Sequence, residues 1–246
     1  GRMINSDTFQ FLLAAKQAEI KVLQQLGANC ELVSLVSELV HQLQRERGMS
    51  NLYLASGSAL FGKERQAQLV AVTLQEQSLR QRLQQHYLHK SDARNSSRLL
   101  SSVSMALLAM DDLAALREQI SLQKISTLAS TQAFSRLIHS WQTVVSEAAD
   151  IASDAEICRL LVVLQHLMRL KELAGQERAW GSIGFAKGDF SADLRERLSE
   201  LDTAQRQTTE QLLQSATAEL AQQWHAQEGS QGSKDLTQLR LMLQQF

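Results

Sequence analysis

The sequence predicts an all-α fold in which long antiparallel helices form two adjoining four-helix-type bundles. Proline is absent from all 246 residues, whereas an average composition of about 5% would supply about a dozen, and proline interrupts helix interiors. Only 11 residues are glycine and 5% are aromatic, which argues against β-sandwiches and β-barrels. Apolar side chains make up 44% of the chain, and they recur at helical spacing along most of its length.

Apolar periodicity and breaker residues define the individual helices. They predict seven long helices, over residues 9–26, 32–54, 63–88, 99–118, 122–149, 155–173 and 191–227. Gly27 ends the first of these helices, and Gly57 ends the second. The glycine- and serine-rich segment 229–233 is a short flexible break before a terminal helical segment. Helices joined by such short loops pack as antiparallel neighbours.

Charge and cysteine content exclude several classes of protein. The 25 basic and 26 acidic side chains leave a net charge of -1, without the basic excess that is typical of nucleic-acid binders. Cys30 and Cys158 are too few for a disulfide framework and match no metal-ligand spacing. No apolar run approaches the ~20 residues of a membrane span, and the best candidate, 160–164, is broken by Gln165. We therefore expect a cytoplasmic protein that does not contact a membrane.

The sequence lacks the common motifs for catalysis and cofactor binding. It contains no P-loop, dinucleotide-binding fingerprint or zinc-ribbon spacing, and the predicted helices do not supply the turn that exposes a nucleophilic serine. His86 and His89 are three residues apart, but no cysteine, third histidine or acidic cluster joins them. We expect no enzymatic activity, no catalytic residues, no metal and no cofactor.

An internal repeat is the most informative feature of the sequence. The segment QRERGMS at residues 44–50 is echoed by GQERAWG at 175–181, and LASG at 54–57 is echoed by FAKG at 185–188. The copies are 131 positions apart in both cases, and each copy closes an apolar helix. A single Glu-Arg-Gly string carries no information, but two copies at one offset and in one helical context indicate a duplication.

Each copy of the repeat contains an arginine, Arg47 or Arg178, that interrupts an apolar helix face. Helical spacing places Arg47 in line with Val36 and Leu43, and it places Arg178 in line with Leu164. Small residues lie near both arginines and leave space beside the guanidinium groups: Gly48, Ser50, Gly175, Ala179, Gly181 and Ser182. We interpret these six residues as support for a site formed by the two arginines.

A buried guanidinium needs a partner, because an unpaired buried charge is very unfavourable. An internal carboxylate is one candidate, and the sequence offers Glu46, Glu177, Asp111, Asp112 and Asp150. A bound anion is the other, because guanidinium presents a planar fork of donors that matches carboxylate, phosphate or nitrate. The sequence therefore leaves two functions open: a receptor module for a small anion, and a helical scaffold or adaptor whose arginines form internal salt bridges.

The two motifs and the proline-free helical composition resemble the NIT family, the nitrate- and nitrite-sensing domains of bacterial signalling proteins. The resemblance extends over nearly the whole chain. It is strongest to cytoplasmic members from enteric bacteria, in which the sensor precedes an RNA-binding ANTAR domain for transcription antitermination. It implies two four-helix bundles and a nitrate or nitrite anion held by Arg47 and Arg178, the arginines at the motif positions. The second motif has Ala179 where the first has Gly48, so the two halves need not contribute equally.

The domain organisation follows from the same features. We predict a sensor domain over 1–228 and a connector over 229–246 that leads to an output domain outside this sequence. RNA is then a partner only through that output domain. The terminal apolar seam from Leu236 to Phe246 is too short for an isolated stable helix. It therefore packs on the bundle, pairs with a second copy in a homodimer, or continues into the output domain.

Overall fold

The structure is a computed structural model that describes residues 6–58, 60–88, 97–151 and 155–226, with side chains over 27–58, 60–88, 97–151 and 161–215. All regular elements in these residues are α-helices, which confirms the predicted fold class. In chain order they are α1 (Ser6–Ala55), α2 (Gly62–Tyr87), α3 (Ser97–Asp111), α4 (Leu113–Ser121), α5 (Thr127–Asp150), α6 (Ala155–Lys187) and α7 (Ala192–Ala226). The predicted connector over 229–246 lies outside the described residues.

The first bundle contains α1, α2, α5 and the pair α3 and α4. The long helix α1 packs antiparallel along both α2 and α5, and α3 also packs against α5. The largest side chains in this core are fully buried, including Leu39, Leu43, Leu79, Leu99, Ile120, Phe134, Ile138 and Trp141. Each of them contributes about 1.5–3 kcal/mol of hydrophobic free energy, so the core holds α1 and α5 in fixed positions.

The second group of helices contains α6 and α7, and it shares α1 and α5 with the first bundle. Helix α6 packs against α5 and α1, and α7 packs against α6. At about 1.5 Å per residue, the 50 residues of α1 are long enough to take part in both groups. Consequently α1 and α5 present one face to the first bundle and another face to α6.

Gly27 does not end a helix, so the predicted break between the first two helices is wrong. Helix α1 continues through Gly27 without interruption. Gly27 is exposed, and a Cβ atom at this position would meet no other group within 4 Å. The glycine therefore provides neither a turn nor a close contact. Its cost to the helix, about 1 kcal/mol, is outweighed by packing farther along α1.

The segment before α5 also differs from the prediction. The predicted helix over 99–118 is split between α3 and α4, and the chain turns at Gln123, which has a φ of 54°. The next helix, α5, begins five residues later than predicted, where the side chain of Ser126 accepts a hydrogen bond from the Ala129 amide at 3.0 Å. Serine is a preferred residue for this capping position.

The stretch Ser97–Ser121, which contains α3 and α4, is long and apolar enough to cross a membrane by length and composition, because an 18-residue window within it has a mean hydropathy of 1.6. This finding corrects the expectation that no such run exists. Leu99, Val103, Ala106 and Met110 are the buried residues of α3, and this helix packs on α5. Met105 and Leu108 remain exposed on its other side.

The two copies of the repeat end their helices in the same way. Gly57 follows α1 with a φ of 61°, and Gly188 follows α6 with a φ of 64°. In both copies the backbone N–H of the glycine donates a hydrogen bond to the carbonyl three residues earlier, and the N–H of the next residue donates to the carbonyl five residues before it. This is the Schellman cap, which favours glycine. Helix α6 therefore extends to Lys187, beyond the predicted end at residue 173.

Helices α1 and α6 run parallel where they touch. The hydroxyl of Ser37 lies 3.4 Å from the sulfur of Met168, and these residues are separated by 131 positions, the offset of the repeat. One turn or two farther along both helices, Gln44 donates to Glu172 at 2.9 Å. Because residue numbers rise together on the two helices, equivalent positions of the two copies lie at similar levels.

Candidate anion-binding site

A cavity of about 990 Å³ opens between α1, α6 and the turn that precedes α5. Its lining contains six basic residues: His41, Arg45, Arg47, Lys171, Arg178 and Lys187. Among the described residues that line it, none is aspartate or glutamate. Opposite charges attract strongly where solvent is partly excluded, so this cavity favours an anionic ligand over a neutral or cationic one.

Arg47 is fixed at the inner wall of the cavity. Its side chain is only 3% exposed, and its Nη1 donates to Glu172 Oε1 at 2.6 Å and to the hydroxyl of Ser135 at 3.1 Å. Its Nη2 reaches the backbone of α6, where a Cβ atom placed on Gly175 would lie 2.7 Å away. Real Cβ atoms do not approach other atoms that closely. Glycine at 175 therefore allows this position of Arg47.

Arg178 approaches the same point from the outer side. Its Nη2 lies 3.8 Å from the Cβ position of Gly175, so this one point is close to both guanidinium groups. The side chain of Arg178 is exposed, although the sequence placed it on an apolar face. That face turns to the surface at this end of α6, where Phe185 is also exposed. The structure thus brings the two predicted arginines together and buries only one.

The carboxylate that neutralises Arg47 is Glu172, which sequence analysis did not propose. Glu172 is 4% exposed, and it also accepts hydrogen bonds from Gln44 at 2.9 Å and Gln176 at 3.0 Å. The proposed candidate Glu46 instead forms a two-pronged pair with Arg117, at 2.7 and 2.9 Å. An internal carboxylate, one of the two candidate partners of the buried arginine, is therefore present, and its identity depends on how α6 sits against α1.

Lys171 and His41 add charge to the cavity wall. The Nζ atom of Lys171 lies 2.9 Å from Nδ1 of His41. Burial lowers the pKa of His41, and the charge of Lys171 lowers it further. Burial likewise lowers the pKa of Lys171; Glu38 opposes this effect, and the charge of Arg178 adds to it. Both groups therefore hold their protons less firmly than usual, and a bound anion would relieve this crowding of positive charge.

The six predicted supporting residues divide into two groups. Gly48, Gly175, Ala179 and Ser182 line the cavity, whereas Ser50 and Gly181 do not. Ser50 is fully buried, and its hydroxyl has no hydrogen-bond partner in the described part of the chain.

Lys171 also lines the cavity, and it could have been predicted from the sequence. Lys171 precedes Arg178 by seven residues, two helical turns, and so lies on the same face.

Comparisons with known proteins identify the family of this chain. The model of the family described as nitrate and nitrite sensing, NIT, matches residues 38–245. The nitrate regulatory protein of Klebsiella oxytoca is 37% identical over 186 residues, which make up 75% of this chain and 45% of that protein. The solved structure of the NasR transcription antiterminator is 32% identical, with a TM-score of 0.76, and the match covers 95% of this chain and 62% of that one.

The chain thus spans less than two thirds of the length of either relative. Both relatives are named for regulation. Since the family model covers most of this sequence, the chain belongs to the NIT family of nitrate- and nitrite-sensing domains.

Proposed function

We propose that the cavity between α1 and α6 binds nitrate or nitrite, held between the guanidinium groups of Arg47 and Arg178. The observation that carries the proposal is their convergence on Gly175, from helices whose motif copies are 131 positions apart. Guanidinium and nitrate are both planar, so two parallel hydrogen bonds form without distortion. The Nη1 atom of Arg47 is held by Glu172 and Ser135, and its Nη2 faces Gly175, where an anion would bridge it to Arg178.

The bound anion would regulate an output domain attached to the C-terminus. The relatives are a nitrate regulatory protein and a transcription antiterminator, and the chain spans only part of each, so an RNA-binding output is the natural candidate. Such an output places the sensor in the cytoplasm. An anion shared by α1 and α6 favours the packing in which both arginines approach it. A change of 1–3 kcal/mol in that packing is typical of allosteric coupling.

The direct test is to titrate the protein with sodium nitrate and with sodium nitrite, and to measure binding by calorimetry or the stabilisation of the folded state by thermal unfolding. Chloride and sulfate at equal ionic strength are the controls. An anion that binds only the folded state at a hundredfold excess over its Kd stabilises it by about 2.7 kcal/mol. Absence of any shift specific to nitrate or nitrite would refute the proposal.

Variants locate the binding site. Arg47→Lys and Arg178→Lys keep the charge but lose the planar fork, so each should weaken nitrate binding at least tenfold, about 1.4 kcal/mol. Arg206→Lys is the matched control, because Arg206 is exposed on α7 and pairs there with Asp202. Wild-type affinity in both motif variants would exclude these arginines as the ligand site.

One observation favours a second function. The Arg47–Glu172 salt bridge already satisfies the buried guanidinium without a ligand, as expected for a helical scaffold or adaptor with structural arginines. Under that function Arg47→Lys would lower stability, and nitrate would have no effect on either protein. The titration above therefore separates the two functions.

A further inference from the structure

Glu172 lies in the wall between two cavities. On one side is Arg47, which faces the candidate anion site. On the other side is a cavity of about 430 Å³ between α5, α6 and α7, lined by Glu172 itself and by Gln176 and Arg197. A buried carboxylate in this position affects the electrostatics of the anion site, although it does not line that cavity.

The carboxylate of Glu172 and an incoming anion need the same cation. Glu172 Oε1 accepts from Arg47 Nη1 at 2.6 Å, and this is the one ion pair that Glu172 forms among the described residues. Its other hydrogen-bond partners are the neutral amides of Gln44 and Gln176, and its charge also acts on Lys171. An anion bound to the same guanidinium would lie only a few ångströms from this carboxylate, and like charges at that distance repel strongly when solvent is excluded.

We propose that Glu172 acts as an internal counter-anion, which neutralises Arg47 in the empty protein and thereby lowers the affinity of the site for nitrate or nitrite. This inference rests on the proposed function, and it adds the residue that determines how much anion is needed. A nitrate or nitrite anion must compete with the carboxylate of Glu172, which is always present, for the guanidinium group of Arg47. Glu172 is therefore an affinity-determining residue that does not itself touch the ligand.

The hydrogen bonds of Glu172 also give a route from the site to α7. Gln176 donates to Glu172 at 3.0 Å and accepts from Arg197 Nη2 at 3.3 Å. Arg197 pairs with Glu200 at 3.2 Å and lies 5.8 Å from the ring centre of Trp180. When an anion shares the guanidinium group of Arg47, the charge of Glu172 is less fully compensated, and Arg197 is placed to compensate it through Gln176. The arrival of the anion thus changes a contact between α6 and α7.

Glu172→Gln tests the proposal with little change in shape. The glutamine oxygen can still accept from Arg47, and a reversed Gln44 amide restores the second hydrogen bond. Loss of the competing charge should raise nitrate affinity at least tenfold over wild type in calorimetric titration. Glu177→Gln is the matched control, because Glu177 lies on the same helix, is exposed and pairs with Gln205. Its affinity for nitrate should equal that of wild type.

A second variant and a second measurement keep the test decisive. Glu172→Asp retains the charge but shortens its reach toward Arg47, so its nitrate affinity should lie between those of wild type and Glu172→Gln. If Glu172→Gln unfolds because Arg47 is left buried without a counter-ion, nitrate should refold it at lower concentrations than chloride does. Refolding equally well in chloride would overturn the inference.

The remaining outcomes also separate the two proposals. Unchanged or weaker nitrate binding by Glu172→Gln, with normal binding by wild type, would overturn the role of Glu172 and leave the proposed function intact. Absence of nitrate binding by every variant and by wild type would overturn the proposed function, and this inference with it.

Discussion

Substitution of Gly175 by alanine should weaken anion binding without unfolding the protein. The added Cβ would lie 2.7 Å from Nη2 of Arg47 and 3.8 Å from Nη2 of Arg178. The guanidinium of Arg47 must therefore shift, although Glu172 and Ser135 hold its other nitrogen. Alanine favours the helix by about 0.5–1 kcal/mol over glycine, and this gain offsets part of the strain. We expect the free energy of unfolding without nitrate to change by less than about 1 kcal/mol.

Nitrate affinity should respond much more strongly to this substitution. The methyl group fills the point on which the two guanidinium groups converge, and loss of one good hydrogen bond to a charged group costs about 1.5–3 kcal/mol. We expect the Kd for nitrate, measured by calorimetry, to rise at least tenfold, which corresponds to about 1.4 kcal/mol.

Gly181→Ala is the matched control for this experiment. Gly181 lies on the same helix, but it does not line the cavity and a Cβ there would meet no group within 4 Å. This variant should gain about 0.5–1 kcal/mol of stability and bind nitrate as wild type does. Equal nitrate affinities for Gly175→Ala and Gly181→Ala would refute the placement of the anion beside Gly175.

Three further effects follow from charges and backbone geometry. Burial and the charge of Lys171 lower the pKa of His41, and a bound anion would raise this pKa again. Nitrate affinity should therefore increase as the pH falls below about 6.5, because the anion binds more tightly when His41 is protonated. His41→Gln should remove this dependence in nitrate titrations across pH. Arg117→Ala should lower the free energy of unfolding in urea by about 3–5 kcal/mol, because it removes the ion-pair partner of the fully buried Glu46; a loss below about 1 kcal/mol would contradict the argument. Gly188→Ala should cost about 1–2 kcal/mol in the same assay, because Gly188 has a φ of 64°.

Local sequence signals predicted most helices and their caps. Gly57 ends α1, as predicted, and α7 begins at Ala192, one residue from the predicted start. Its first turn is capped by the Ser191 hydroxyl, which accepts from the Leu194 amide at 3.2 Å. Such signals act over three or four residues, so one sequence suffices to identify them. Glycine alone is a weaker signal, because a packed helix tolerates it. This explains the wrong break at Gly27.

The partners of buried charges could not be predicted in the same way. Arg47 and Glu172 are 125 positions apart in the chain, and no local pattern connects them. The repeat nevertheless contained part of the answer, because parallel packing of its two copies places equivalent residues side by side. With that assumption, residues near 178 become candidate neighbours of Arg47, and Lys171 and Glu172 lie within two turns of it.

The two copies of the repeat contribute arginines that are not equivalent. Parallel copies of one motif bring two arginines to one level, where like charges would repel without an anion. In this chain the first arginine is buried and held by Glu172 and Ser135, while the second is exposed at the mouth of the cavity. Arg47 thus provides a fixed donor, and Arg178 can reorient at little cost. In the proposed site, such a pair of one fixed and one adjustable donor would capture a small anion and still release it, as a sensor of changing concentration requires.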